Sequence, residues 1–113
     1  MNYSEMSDFE INREVAGEVG GFLAKDIFEE EKTIFKWHPG NKYSKFDPCK
    51  SWADAGPIIE SGLISIQFYQ GSWMASVNPS QETGFRAACF IERENPLRAA
   101  MIVFLMMQEK PDV

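Results

Sequence analysis

Hydrophobic positions recur along this chain at two spacings, one helical and one extended, and in a single stretch they abandon spacing altogether. That stretch lies in residues 95–109, where nine consecutive apolar residues run from Ala99 to Met107. Asn95 can cap the first turn with its side-chain oxygen, and Pro96 suits the first helical position, where its missing N–H has no bond to make. Leu97, Met101, Phe104, Leu105 and Gln108 then line one face, with Ala99, Ile102, Val103 and Met106 on the flanks. A helix apolar nearly all round has to be covered on more than one side, in a core, at a subunit interface or in a membrane. Nine residues at ~1.5 Å each reach about 14 Å, half of a ~30 Å hydrocarbon layer, so the membrane is the poorest fit of the three.

The helical spacing appears twice more. Ser7-Asp8-Phe9-Glu10 has the form of a capping box, and Met6 and Ile11 stand where a hydrophobic staple closes it. Ile11, Val15, Ala16 and Val19 follow as a narrow stripe that Gly20-Gly21 ends, which predicts an amphipathic helix over residues 8–19. Ser51 and Asp54 repeat the cap spacing around Trp52, Ala55, Ile58 and Ile59, predicting a second helix over 52–61 that stops at Gly62. Pro57 removes the bond to the carbonyl of Ala53, so a kink is expected there.

Extended patterns fill the rest. Residues 22–28 and 33–37 are rich in aromatic and β-branched side chains and read as a strand pair around Glu29-Glu30-Glu31-Lys32. His38-Pro39-Gly40-Asn41 breaks both patterns and reads as a turn, and the chain around Asp47-Pro48 reads as irregular. Ile64, Ile66 and Phe68 alternate with Ser65, Gln67 and Tyr69, predicting a strand with one buried face. Gly71-Ser72 offers a two-residue turn into a second strand with Trp73, Ala75 and Val77 on one side. After a polar loop at 78–84, a third strand is expected over 85–91, with Phe85, Ala87, Cys89 and Ile91 on one side. The fold these elements predict is α+β: an antiparallel β-meander with three helices packed mainly on one face.

Composition adds limits. At 113 residues, 44% of them hydrophobic and 13% aromatic, the chain fits a single domain, 1–113, with a core that needs no staples. Cys49 and Cys89 have no neighbouring Cys or His at a metal-ligand spacing, and the opening residues do not resemble a secretory signal, so both are expected as reduced thiols in a cytoplasmic setting. The net charge of −6 is unevenly placed: residues 1–31 carry nine acids against Arg13 and Lys25, while the other residues are close to neutral. Such an acidic face repels nucleic acid and attracts basic partners, or is simply solvated.

The sharpest chemical feature is the opposite in sign. Across residues 32–50, Lys32, Lys36, Lys42, Lys45 and Lys50 are interleaved with Phe35, Trp37, Tyr43 and Phe46, and only Asp47 opposes them. Lysines beside exposed rings are what single-stranded nucleic acid requires, charges for phosphates and rings for base stacking, and Lys36, Trp37, Lys42, Tyr43 and Lys45 are the candidate contacts. The same aromatics could instead face a core, with the lysines guarding strand edges. Catalysis has less to stand on. His38 is the only histidine, and Cys49 or Cys89 could act with it only if the fold brought them together. No Gly-rich phosphate loop precedes a helix, and no residue set calls for a metal or cofactor.

Three blocks of the sequence resemble one known family: residues 1–12, Asp47-Pro48-Cys49 with residues 52–60, and the C-terminal segment from Asn95. They are similar to the NinX-like family of small proteins of lambdoid phages and prophages, and they span the chain from end to end. The resemblance implies phage origin, a bacterial host cytoplasm and an accessory role, and it carries over no catalytic residue. The first functional reading is accordingly a non-enzymatic domain that binds a protein partner, a second copy of itself or a host protein, with Met101, Phe104, Leu105 and Met107 as candidate interface. The alternative is single-stranded nucleic-acid binding through residues 32–50.

Overall fold

The computed structural model describes residues 2–77 and 88–109. Within them lie three helices, α1 (Asp8–Val19), α2 (Trp52–Gly62) and α3 (Pro96–Gln108), and six strands: β1 (Ile27–Phe28), β2 (Thr33–His38), β3 (Lys42–Lys45), β4 (Ser65–Tyr69), β5 (Ser72–Val77) and β6 (Ala88–Glu92). The strands form two three-stranded antiparallel sheets, β1-β2-β3 and β4-β5-β6, each in chain order. The fold is α+β, as the pattern of positions predicts, with the meander doubled.

α3 is the centre. One side packs on β4, β5 and β6, and the other is covered by α1 and α2. Leu97, Ala99, Ala100, Met101, Ile102, Val103, Leu105 and Met107 are all buried, which explains why the helix needs no polar face. Asn95 caps it by accepting from the backbone N–H groups of Leu97 and Arg98 at 2.9 and 3.0 Å. α1 carries the full capping box: Ser7 Oγ accepts from Glu10 N–H, and a Glu10 carboxylate oxygen accepts from Ser7 N–H, both at 3.1 Å. The hydrogen bonds to that carboxylate, from the Ser7 backbone first, hold its pKa below the ordinary value.

Several details depart from the sequence reading. Residues 22–28 are not one strand: a 3-10 turn, Ala24–Asp26, occupies the middle of that stretch, and only Ile27 and Phe28 pair. The chain after Asn41 is extended and pairs with β2, so residues 42–45 supply a strand to which the sequence pattern assigned no element. α2 passes through Gly62 and ends on Leu63, a left-handed residue at φ 53° that is 69% exposed. Ser51 accepts from Asp54 N–H, but the Asp54 carboxylate turns to the N–H of Asp47 and leaves the box half made. Pro57 is tolerated inside α2, and the carbonyl it cannot bond belongs to Ala53, on the exposed side.

In the second sheet the tight turn is Gln70-Gly71 rather than Gly71-Ser72, since Tyr69 pairs with Ser72 and both turn residues have positive φ. In β6 the side that carries Cys89 and Ile91 is the outward one. Ala88 and Phe90 stand opposite Val77 and Ala75 and look inward, while Cys89 is exposed and Ile91 is 63% exposed. The expected loop at 78–84 and the 85–87 part of the strand lie outside the described residues.

Candidate functional site

The first sheet has two unlike faces. Ile34, in β2, is buried against α1, and Ile27 and Phe46 join it in the core. The alternation of β2 then sends Thr33, Phe35 and Trp37 to the side away from that helix. Register adds their partners: Phe28 lies opposite Thr33, Lys45 opposite Phe35, and Tyr43 opposite Trp37. Trp37 is 49% exposed and Tyr43 51% exposed, and Phe28 and Leu23 are comparably open. No helix among the described residues covers this face. Two shallow grooves of about 380 and 460 Å³ run across it, bounded by the segment at 21–26 and sharing Lys25, Asp26 and Tyr43. Asp26 itself is buried and accepts from Leu23 N–H at 2.8 Å, which folds that segment along the groove.

Of the five residues proposed from sequence to contact nucleic acid, the structure brings Trp37, Tyr43 and Lys45 to one face. Lys36 and Lys42 fall on the other, with His38 and Ser44. The grouping gains Lys25, Phe28 and Phe35, which spacing could not assign because the sheet's register was unknown. The acids have a separate place: Glu14 and Glu18 line a depression with Tyr3, Gln108 and Glu109, beside the end of α3. The four candidate interface residues are placed differently from an interface. Met101, Leu105 and Met107 are buried within the chain itself, and only Phe104 keeps partial exposure.

The titratable residues do not assemble. His38 Nε2 is 2.6 Å from Ser44 Oγ, Cys49 is fully buried, and Cys89 lies on the open side of β6. Both cysteines are free thiols. Burial, reinforced by the Asp8 charge, pushes the Cys49 thiol far above its ordinary pKa, so it stays protonated at neutral pH. Among the described residues no group of three His, Cys, Asp or Glu side chains could hold a metal ion.

A second polar cluster is structural, and sequence reading missed it. Arg98 is nearly buried, and its guanidinium donates to Glu92 at 3.0 Å, to Asp8 at 2.8 Å, and to the carbonyls of Tyr3 and Met6 at 3.1 and 2.6 Å. Burial disfavours its charge, but the bonds it donates to Asp8 and Glu92 outweigh that and raise its pKa. Beside it, Asn12 donates to Asp47 at 2.7 Å and accepts from Cys49 N–H at 3.1 Å, and Asn95 Nδ2 donates to the Cys49 carbonyl at 2.7 Å. Tyr3 closes the other side with a hydrogen bond to Glu109. A lone charge in a helix otherwise apolar all round was the available signal, because such a residue must find partners.

This cluster joins residues from the first dozen positions, from Asp47-Pro48-Cys49 and from the start of α3, so the three blocks that resemble one family meet in one place. A family model described as Bacteriophage P22, NinX matches residues 2–108. The chain belongs to the NinX family. It is therefore a phage accessory protein, and the match takes in both sheets and all three helices. Comparison with curated proteins gives no match. No helix among the described residues is long and apolar enough to cross a membrane. In this NinX-family chain the hydrogen-bonded cluster around Arg98 ties segments together, whereas the aromatic face of the first sheet is open among the described residues.

Proposed function

We propose that this NinX-family protein acts by binding rather than by catalysis, with the outward face of the first sheet as its recognition surface and a different protein as its partner. The observation that carries this reading is the uncovered group of Leu23, Phe28, Trp37 and Tyr43, large apolar side chains gathered on one face. Contiguous exposed apolar surface with a polar rim is the usual mark of a partner site, and Trp and Tyr are the side chains that anchor such sites. Lys25 and Lys45 at its margins suit a partner segment whose apolar residues are flanked by acids. The scattered placement of His38, Cys49 and Cys89 supports the non-enzymatic part of the reading.

A second reading is favoured by one specific arrangement, the cross-strand pair Trp37 and Tyr43 with Lys45 on the same face. Rings with adjacent ammonium groups suit single-stranded nucleic acid. Capture from host lysate, with and without nuclease, separates the two. Retention of a protein after nuclease treatment, lost in Trp37→Ala/Tyr43→Ala with the fold intact, is the expected result. Loss on nuclease treatment, with saturable oligonucleotide binding that weakens steeply with salt, would replace it with the second reading.

A further inference from the structure

A cleft of about 420 Å³ opens where the start of α1 meets the Thr33 end of the first sheet. That volume falls within the roughly 300–1,000 Å³ of small-ligand sites. Its walls bring together Lys32, Lys45 and Lys50 from three separate stretches of chain. All three are exposed, and none takes part in an ion pair among the described residues. The two carboxylates in the walls are already engaged: Asp8 holds Arg98 at 2.8 Å, and Asp47 accepts from Asn12 at 2.7 Å. Lysines thus outnumber carboxylates, and the carboxylates answer to donors of their own.

The helix end does not account for the site. Glu10 already meets the positive end of α1 through its bond from Ser7 N–H, so the lysines set the sign of the cleft. Lys32 is positioned rather than loose. Its backbone sits at φ 54°, a conformation lysine seldom adopts, and its ammonium nitrogen is 5.4 Å from the centroid of the Phe9 ring. Lys45 stands two residues along β3 from Tyr43, about 6.6 Å at strand rise, so the cleft borders the aromatic face. Three lysines in the walls of one cleft suit a multiply charged group with several acceptor oxygens better than a single carboxylate.

We propose that this cleft binds a phosphate group, with Lys32, Lys45 and Lys50 as its cationic contacts. The phosphate belongs either to a small free phosphate compound or to a nucleic-acid strand continuing toward Tyr43. The site stands apart from the protein-partner reading, since Trp37 takes no part in it.

Inorganic pyrophosphate, titrated in phosphate-free buffer at fixed ionic strength and followed by amide NMR, is the direct test. Saturable shifts centred on Ser7, Phe9, Lys32 and Lys50 are expected. Lys32→Gln/Lys50→Gln should weaken binding roughly tenfold, as loss of two exposed charge contacts allows. Lys42→Gln, opposite His38 at the far end of the sheet from Thr33, should leave affinity within about twofold, because at ordinary ionic strength a screened distant charge contributes little. The single variant Lys50→Gln serves if the double variant does not fold. Two results would overturn the proposal: no saturation by about 10 mM, which is less than ~3 kcal/mol of binding, or equal weakening in Lys42→Gln and Lys50→Gln. A parallel titration with a short oligothymidylate separates the sources. Binding tighter than pyrophosphate, with shifts extending to Tyr43, assigns the phosphate to a strand, and pyrophosphate binding alone assigns it to a free compound.

Discussion

Arg98 is two residues past the first helical position of α3, yet it ties that helix both to residues 3–8 and to the end of β6. Its guanidinium reaches two carboxylates and two carbonyls in directions that a planar fork can serve together and a single ammonium cannot. Replacing it with Met should destabilise the protein by roughly 2–4 kcal/mol. This is somewhat less than the ~3–5 for a fully buried pair, because Asp8 and Glu92 keep partial exposure. Arg98→Lys should recover less than half of that loss. Urea denaturation reads both, and an unchanged midpoint for the Met variant would show that the cluster adds nothing. The cysteines give a second residue-level test. Cys89 is exposed and Cys49 is buried with a strongly raised pKa, so a thiol reagent should label one cysteine quickly in the native protein and the second only on unfolding. Rapid labelling of both would mean that the segment at 47–49 opens readily.

At the scale of elements, the end of α2 is the clearest local conflict. Leu63 holds the left-handed position that usually falls to glycine, exposed and with no compensating burial. Leu63→Gly should stabilise the protein by about 0.5–1 kcal/mol, the usual gain when a strained non-glycine site is relieved. A fall in the melting temperature would show that Leu63 packs in a way its exposure does not suggest. α3 makes the contrasting case. Leu105→Ala should cost roughly 2–5 kcal/mol and Phe104→Ala less, since Phe104 is only partly covered. Met101→Asp should prevent folding, because Met101 has no solvent contact and an aspartate there would have no partner.

Taken as a whole, the molecule surrounds α3 with its own parts, so its stability should not depend on a second copy. The melting temperature is expected to stay constant over a hundredfold range of concentration, and Met107→Asp is expected to unfold the chain rather than release a folded monomer. A melting temperature that climbs with concentration would instead make subunit contact part of the fold. Charge is also arranged at this scale. Glu14, Glu18 and Glu109 gather beside the end of α3, while Lys25, Lys45, Lys32 and Lys50 border the first sheet and its cleft. A chain with net charge −6 can in this way present a basic surface to a ligand.

The capping box at Ser7, the Asn95-Pro96 helix start and the extended run of β4 were legible from sequence because each is set by residues within a few positions of one another, but the buried face expected of β4 is not kept at Phe68, which is 57% exposed. The apolar run after Arg98 likewise announced a helix covered on several sides. What covers it was a tertiary matter: the two sheets, α1 and α2 come from distant parts of the chain, and only their packing distinguishes a core from a subunit interface. The same holds for β6, where Ala88 and Cys89 are both small and moderately apolar, and pairing with Val77 and Ala75 decided which face turned inward. It holds too for the recognition surface. Spacing supplied the lysines and rings of residues 32–50, but register sorted them, placing Trp37, Tyr43 and Lys45 together and Lys36 and Lys42 opposite. A strand's two faces differ by a single residue of phase, and that phase belongs to the neighbouring strand rather than to the sequence of either one.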